Sequence, residues 1–335
     1  MTEAEAVAHP NVALSKYWGK REGPGNVPAV PSLSVNLSAF STRTRVRFDA
    51  SRTSDRVVLG GREAEGTARD RVVALLDRVR AASGDPRPAE VVSENDFPTA
   101  SGLASSASGF AALALAAVNA AGLDWDAPRV SDLARRSSAS AARSLFPGFV
   151  ELPAGEPGLA EDAVLPARPI AAADQMPLSI LVAVVTDGPK AVGSTDAMRR
   201  TLERSPYARA WLDEAPRLHV RLRDAVVASD FATAGALAEA SALAMHACAI
   251  AAGIVYWTGA TLDVLAAVRD LRAAGVAAHA SIDAGPHVKV FVQPGDARQA
   301  RAALAAVRAV LRVAEARIGA GARVLSADGR AEAIA

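Results

Sequence analysis

Apolar positions along the chain recur first at a period of two and later at a period near 3.6. Short alternating or β-branched runs at residues 42–48, 56–59 and 89–93 predict strands. Val72, Val73, Leu76 and Val79 place an apolar stripe on one face of a helix predicted over 69–82. After the third strand comes a Gly/Ser-rich loop, and then Phe110, Leu113, Ala117, Val118 and Ala121 recur at helical spacing. The continuous apolar run 178–185 predicts a buried strand, followed by helices near 195–204, 208–228, 231–247 and 261–274. Strand patterns at 276–282 and 288–292, a helix over 297–313 and a last strand at 323–325 close the chain. Strand, helices, strand, strand, helix, strand is the order of a ferredoxin-like α+β layer with extra helices.

Between residues 152 and 177 stand Pro153, Pro157, Pro166, Pro169 and Pro177, which predict an irregular connection. The boundary placed there divides the 335 residues into units 1–177 and 178–335, in keeping with a length above that of one typical domain. No fixed-period repeat interrupts either unit.

Two uncharged stretches, 102–123 and 240–262, are long enough to raise the question of a membrane span. Both are rich in Ala and Gly with Ser, Asn, His or Thr interspersed, a composition suited to close helix packing in a soluble core. The formal charge is +1, from 37 basic and 36 acidic residues, without the basic excess of a nucleic-acid or membrane-surface binder. Nearly all the basic residues are Arg; the four Lys are Lys16, Lys20, Lys190 and Lys289. Cys248 is the single cysteine, which excludes an internal disulfide and a multi-cysteine metal site and fits a reducing cytoplasm. Residues 1–8 carry two Glu and no basic apolar leader.

The segment 98–109, Pro-Thr-Ala-Ser-Gly-Leu-Ala-Ser-Ser-Ala-Ser-Gly, runs straight into a helix pattern. Small residues let backbone N–H groups approach a polyphosphate, Ser hydroxyls add donors, and a helix N-terminus adds its positive dipole end. An Ala/Ser-rich helix entry with ordinary capping has the same composition. No Gly-Lys-Ser/Thr follows and no G-x-G-x-x-G occurs, so neither a P-loop nor a dinucleotide fingerprint is present.

Taken whole, 98–109 resembles the phosphate-binding motif of the GHMP small-molecule kinase superfamily. Further segments narrow the resemblance to the diphosphomevalonate decarboxylase family: 9–20 (His-Pro-Asn-Val-Ala-Leu-Ser-Lys-Tyr-Trp-Gly-Lys), 31–35 (Pro-Ser-Leu-Ser-Val), 93–97 (Ser-Glu-Asn-Asp-Phe), 135–146, 193–198 (Gly-Ser-Thr-Asp-Ala-Met) and 282–286 (Ile-Asp-Ala-Gly-Pro). The resemblance implies a two-domain α+β GHMP kinase fold with the active-site cleft between its halves, and a homodimer. It also implies phosphorylation of the tertiary 3-hydroxyl of mevalonate 5-diphosphate by ATP with Mg²⁺, then loss of phosphate and carbon dioxide to give isopentenyl diphosphate.

Roles for single residues follow from that resemblance combined with their chemistry. Ser93, Asn95, Ser101, Gly102, Leu103, Ser105, Ser106, Ser108 and Lys190 are candidates for ATP. Tyr17, Lys20, Ser138, Ser140 and Ser194 are candidates for the substrate diphosphate, and Arg143 for the substrate carboxylate, which its planar fork suits. Asn11, Lys16, Arg143 and Asp283 are the candidate catalytic set. Asp283 is expected to accept the hydroxyl proton and then to favour positive charge on carbon 3, with Lys16 holding it ionised. An Asp before Ala-Gly-Pro also forms turns. His246 matches a family position and is expected as a hydrogen-bonded core residue, and no zinc-site spacing occurs.

The match breaks after His246, where the family's Leu-Asp-Thr and Pro-Pro-Ile segments are replaced by Cys-Ala-Ile-Ala-Ala-Gly-Ile-Val-Tyr-Trp at 248–257. Phosphomevalonate decarboxylase and mevalonate 3-kinase activities therefore stay open as alternatives. So does a catalytically silent nucleotide-binding regulator, against which Lys20, Arg143 and Asp283 speak.

Overall fold

A computed structural model describes residues 3–97, 105–160, 162–188, 192–325 and 331–333. The first part of the chain runs β1 (Glu3–Ala8), β2 (Asn11–Ser15), β3 (Ser32–Asn36), β4 (Thr42–Phe48), β5 (Arg56–Leu59), β6 (Arg62–Glu63), α1 (Gly66–Ser83) and β7 (Ala89–Asn95). It continues with α2 (Ser105–Ala120), α3 (Ala127–Ser137), α4 (Ala141–Ser144), β8 (Phe149–Leu152) and β9 (Arg168–Ala171). The second part runs β10 (Ser179–Val184), α5 (Ser194–Arg204), α6 (Ala208–Val227), α7 (Phe231–Ala251), α8 (Gly259–Ala273), β11 (Ala278–Ile282), β12 (Val288–Val292), α9 (Ala297–Ala305), β13 (Arg312–Ala316), β14 (Arg323–Leu325) and β15 (Ala331–Ala333).

These strands form three sheets, ordered β15-β14-β1-β4-β7-β5-β6, β2-β3-β8-β9 and β11-β12-β10-β13. In the first, β4 shows the alternation of a strand with one covered face: Thr42, Thr44, Val46 and Phe48 point inward, while Arg43 and Arg45 point to solvent and meet Glu5 and Glu3 of β1. The inner face packs on α2, whose run of Ala allows β1, β4 and α3 to approach it closely.

Counted along the chain, β10 to β13 stand in the order 2-3-1-4 with every neighbour antiparallel, which is the ferredoxin-like arrangement. The sheet is covered on both faces. Leu181 and Ala183 pack with Val264, Val268 and Leu304, whereas Ile180, Val182 and Val184 pack with Leu218, Leu222 and Phe231. A strand buried on both faces has no polar alternation, which explains the uninterrupted apolar run in this segment.

Three expectations need correction. The helix predicted over 297–313 ends at Ala305, and 312–316 instead forms β13, the fourth strand of the ferredoxin-like layer. The predicted strand 323–325 exists, but it pairs with β1 in the first sheet. The proline-rich connection contains β9, with Pro169 on an edge strand where its missing donor costs no ladder bond. Of the two stretches weighed for membrane spanning, α7 is long and apolar enough by composition, but it packs against α6, β11 and β2.

The second and third layers are tied by a buried polar chain. Ser15 Oγ lies 2.8 Å from His219 Nδ1, His219 Nε2 lies 2.6 Å from Glu151 Oε1, and Arg168 Nε donates to Glu151 Oε2 at 2.7 Å. The geometry is that of a Ser-His-acid triad, but Ser15 is buried and its hydroxyl accepts the Leu33 N–H at 2.8 Å, so no nucleophile faces solvent. The His219 hydrogen bond, with help from Arg168, holds the Glu151 carboxyl at about 2 against burial. A depressed carboxyl stabilises the fold above its unfolded value and loses that contribution as pH falls from about 4.5 toward 2. Urea titrations from pH 6 to pH 3 should show a loss on the order of 2 kcal/mol that Glu151→Gln lacks; equal acid sensitivity in both proteins would remove Glu151 from this role.

Candidate active site

The ends of β2 and β11 meet where the second and third sheets both pack against α7. Lys16, one residue past β2, is buried at 2 % exposure. Its ammonium donates to Ala13 O (2.9 Å), Ser281 Oγ (2.7 Å) and Asp283 Oδ1 (2.6 Å). Asp283 follows β11 and remains 24 % exposed, and its second oxygen lies 3.2 Å from Lys289 Nζ of β12. Burial would raise the Asp283 carboxyl, but the positive charges of Lys16 and Lys289 outweigh it and hold the group well below the usual carboxylate range. Burial pushes the Lys16 ammonium down to about 8 against the opposing pull of Asp283.

Arg143 reaches the same centre from α4 and is 1 % exposed. Its guanidinium donates to Ser34 Oγ (2.8 Å), Ser32 Oγ (2.6 Å) and Asn11 Oδ1 (3.4 Å), and among the described residues no acid forms an ion pair with it. Burial brings the Arg143 guanidinium down to about 10. Asn11 is fixed in turn, its amide donating to Ser140 O (2.9 Å) and Ser144 Oγ (2.8 Å). Beside them the Tyr17 hydroxyl is buried with no hydrogen-bond partner among the described residues, and burial raises it well above its ordinary value. Lys16, Lys289 and Arg143 thus surround a single carboxylate. A buried excess of positive charge with an orphaned hydroxyl is a setting completed by an anion.

A second cationic region lies toward α1 and α5. Lys20 Nζ donates to Asn26 Oδ1 and to Thr195 Oγ1 (3.2 Å), and its ammonium is lowered to about 8 by burial and by the nearby charge of Arg71. Arg71 rests 4.5 Å above the Phe110 ring and donates to Ser137 O. Among the described residues neither Lys20 nor Arg71 is ion-paired. Ser138 and Ser140 stand 3.2 Å apart next to Asn11, and Ser194 opens α5 immediately before Thr195.

Of the residues expected to meet ATP, Ser105 and Ser106 occupy the first turn of α2, with Ser106 exposed. Ser108 is wholly buried; its hydroxyl takes a hydrogen bond from Thr42 Oγ1 (2.6 Å) and points back at Ser105 O. It pins the start of α2 rather than lining a cleft. Asn95 Oδ1 lies 2.6 Å from the same Thr42 hydroxyl, and Ser93 pairs with Thr44 (2.8 Å). Ser101, Gly102, Leu103 and Lys190 lie outside the described residues.

His246 is fully buried below this centre, 3.3 Å from Ile282 O, and burial lowers it to about 4. Its ring meets Trp257 at 5.0 Å and Tyr256 at 6.2 Å, so the segment that departs from the family pattern folds back as packing for His246. Sequence reasoning missed Lys289, Arg71, Asn26, Thr195, Ser281, Thr42 and Thr44. For Lys289 a signal existed in the scarcity of lysine. For the others none did, since each is an ordinary residue until the fold aligns it.

Two family profiles match the chain: the diphosphomevalonate decarboxylase-like N-terminal domain over residues 8–164, and the mevalonate 5-diphosphate decarboxylase C-terminal domain over residues 180–323. The chain belongs to the diphosphomevalonate decarboxylase-like family. A phosphomevalonate decarboxylase from Haloferax volcanii is 37 % identical, the match covering 81 % of this chain and 82 % of the relative. The crystal structure of mevalonate diphosphate decarboxylase from Staphylococcus aureus superposes with a TM-score of 0.91 at 32 % identity, covering 97 % of this chain and 98 % of the other. The structure of MDDEF in complex with MVAPP, AMPPCP and magnesium gives 0.88 at 36 % identity, covering 96 % and 98 %. Both superpositions span the two halves, so the two-domain α+β fold expected from the sequence is the fold of the family.

The contrast between Arg143 and Arg135 tests whether the unpaired charge is held for a ligand. Both are 1 % exposed, but Arg135 is paired with Asp132 at 2.6 Å. In chemical denaturation without ligands, Arg135→Met is expected to cost roughly 3 kcal/mol, because it strips a buried acid of a partner. Arg143→Met should change stability by less than about 1 kcal/mol; a loss as large as that of Arg135→Met would make Arg143 a structural residue.

Proposed function

We propose that the protein catalyses the ATP-dependent decarboxylation of mevalonate 5-diphosphate to isopentenyl diphosphate, with ADP, phosphate and carbon dioxide as the other products. The observation that carries this reading is the ionised Asp283 carboxylate, gripped by Lys16 and Lys289 and standing beside an Arg143 that has no acidic partner among the described residues.

Arg143, oriented by Ser32, Ser34 and Asn11, keeps N–H donors free for the two oxygens of the substrate carboxylate. Lys20, Arg71, Tyr17, Ser138, Ser140 and Ser194 take the diphosphate. Asp283 lies against the 3-hydroxyl and accepts its proton as the γ-phosphoryl group is transferred. The new phosphate then leaves with the electron pair of its C–O bond, and the anionic Asp283 carboxylate favours positive charge on carbon 3. The C–C bond to the carboxylate breaks, its electrons form the double bond, and carbon dioxide departs.

For ATP, the first turn of α2 offers N–H groups and the hydroxyls of Ser105 and Ser106 to phosphate oxygens, with Ser101, Gly102, Leu103 and Lys190 as candidates from the adjoining segments. Among the described residues no cluster of three His, Cys, Asp or Glu exists to cage a metal. Mg²⁺ therefore fits as the partner of the nucleotide phosphates, where it supplies charge neutralisation.

A second reading, a phosphomevalonate decarboxylase, is favoured by the 37 % identity to the Haloferax volcanii relative. Against it, Lys20 and Arg71 together suit the higher charge of a diphosphate. We further infer an ATP-binding half, 1–177, and a ferredoxin-like half, 178–335, whose last strands cross to the first sheet. A homodimer in a reducing cytoplasm is supported by the exposed Val220, Val227, Leu243 and Ile250 on α6 and α7 and by the lone buried Cys248; native mass spectrometry reads the subunit count.

Purified protein supplied with ATP, Mg²⁺ and, separately, mevalonate, its 5-phosphate and its 5-diphosphate should release carbon dioxide with the diphosphate. Release with the monophosphate alone selects the second reading, ADP without carbon dioxide selects a 3-kinase, and neither selects a silent regulator. Asp283→Asn should keep ATP affinity within about twofold while losing turnover by on the order of 1000-fold.

A further inference from the structure

Lys289 is one of only four lysines in a chain that otherwise uses arginine, and it is 2 % exposed. It sits on β12 directly opposite Ser281 of β11 in the antiparallel register. Residues directly opposed in such a pair share a face of the sheet, and Asp283, two positions beyond Ser281, continues that face. The register therefore delivers Lys289 beneath the carboxylate, with its ammonium 3.2 Å from Oδ2, while Lys16 holds Oδ1 at 2.6 Å. The two lysines come from different halves of the chain and take one oxygen each.

The two grips are not equivalent. Lys16 is saturated by Ala13 O, Ser281 Oγ and Asp283, and its own ammonium is weakened by burial and by the charges of Lys289 and Arg143. With Lys16 alone, the carboxylate would depend on an ammonium at about 8 and could rotate about its Cβ–Cγ bond. A second ammonium on the other oxygen fixes the plane of the carboxylate and supplies a further positive charge. We propose that Lys289 is a positioning residue for the reaction, gripping the second oxygen of Asp283 so that the carboxylate stays anionic and aimed into the cleft, a role that rests on Asp283 standing at the reacting centre.

The groups facing Asp283 are Lys16 from the end of β2, Lys289 from β12, Arg143 from α4 and His246 from α7. Removing the Lys289 charge leaves Lys16 and Arg143 to hold the carboxylate against burial, so its affinity for a proton rises. Because the reaction needs the anion, the acid limb of the kcat profile moves to higher pH.

Lys289→Met, Lys289→Gln and Lys289→Arg are compared with the parent protein and with Asp283→Asn in the full chain, using mevalonate 5-diphosphate, ATP and Mg²⁺. Lys289→Met and Lys289→Gln should lower kcat on the order of 10- to 100-fold with both KM values within about threefold, and move the acid limb up by about one pH unit or more. Lys289→Arg should restore most of kcat. A readout independent of turnover is the carboxyl resonance of Asp283 in protein labelled with ¹³C-aspartate, identified by its loss in Asp283→Asn. It should titrate at higher pH in Lys289→Met and Lys289→Gln than in the parent, and melting curves identify any variant that fails to fold, leaving the other neutral variant to decide. If Asp283→Asn is inactive while both neutral variants keep the parent kcat and titration, the role of Lys289 is overturned and that of Asp283 stands. If Asp283→Asn keeps full turnover, the reading of Asp283 fails and the positioning role falls with it.

Discussion

The ion pair between Lys16 and Asp283 is the constraint around which the molecule is arranged. It joins the end of the second strand to a turn 267 residues later, so the two halves of the chain meet at this pair. Neighbouring contacts make the joint rigid: the Lys16 backbone N–H donates to Ser241 Oγ of α7, and Ser281 Oγ reaches Ala13 O. A charge pair with one partly open partner is a weak source of net stability, because desolvation offsets most of its attraction. Its value here lies in geometry, since it fixes one oxygen of the carboxylate while Lys289 stands at the other.

Charge imbalance carries the same logic outward. Arg143 is buried without an acid among the described residues, and Lys20 and Arg71 stand near each other without one. A ligand with a carboxylate at one end and a diphosphate at the other supplies what both regions lack. The packing around them is correspondingly polar but ordered: Ser32 and Ser34 on β3 are fully buried and are used to orient Arg143.

Much of the fold was legible because its elements follow one period each. The strands at 42–48, 56–59 and 288–292 and the helices α5 to α8 fall where the apolar pattern puts them. The failures share a physical cause. β2 and β3 are buried throughout, yet Asn11, Ser15, Ser32, Ser34 and Asn36 interrupt their apolar pattern because those positions serve polar contacts across sheets. The start of β13 falls inside the helix expected over 297–313, since Arg312 to Ala316 is mostly only partly buried and its apolar positions Val313, Ala314 and Ala316 do not alternate. For the site, motif resemblance brought Asn11, Lys16, Tyr17, Arg143 and Asp283 to one place, but contacts that depend on strand register, such as Lys289 under Asp283, are invisible until the pairing of β11 with β12 is known.

The return of β14 and β15 to the first sheet has a consequence for how the chain is made. β1 pairs on one side with β4, which follows it closely in the sequence, and on the other with residues 323–325, which are made only after the ferredoxin-like layer. Until they arrive, β1 is an open edge with unpaired N–H and C=O groups, a template for association with another nascent chain. The first sheet is thus closed by strands that follow the ferredoxin-like layer, and a polypeptide interrupted after β13 would leave that edge uncapped even with Lys16 and Asp283 already paired.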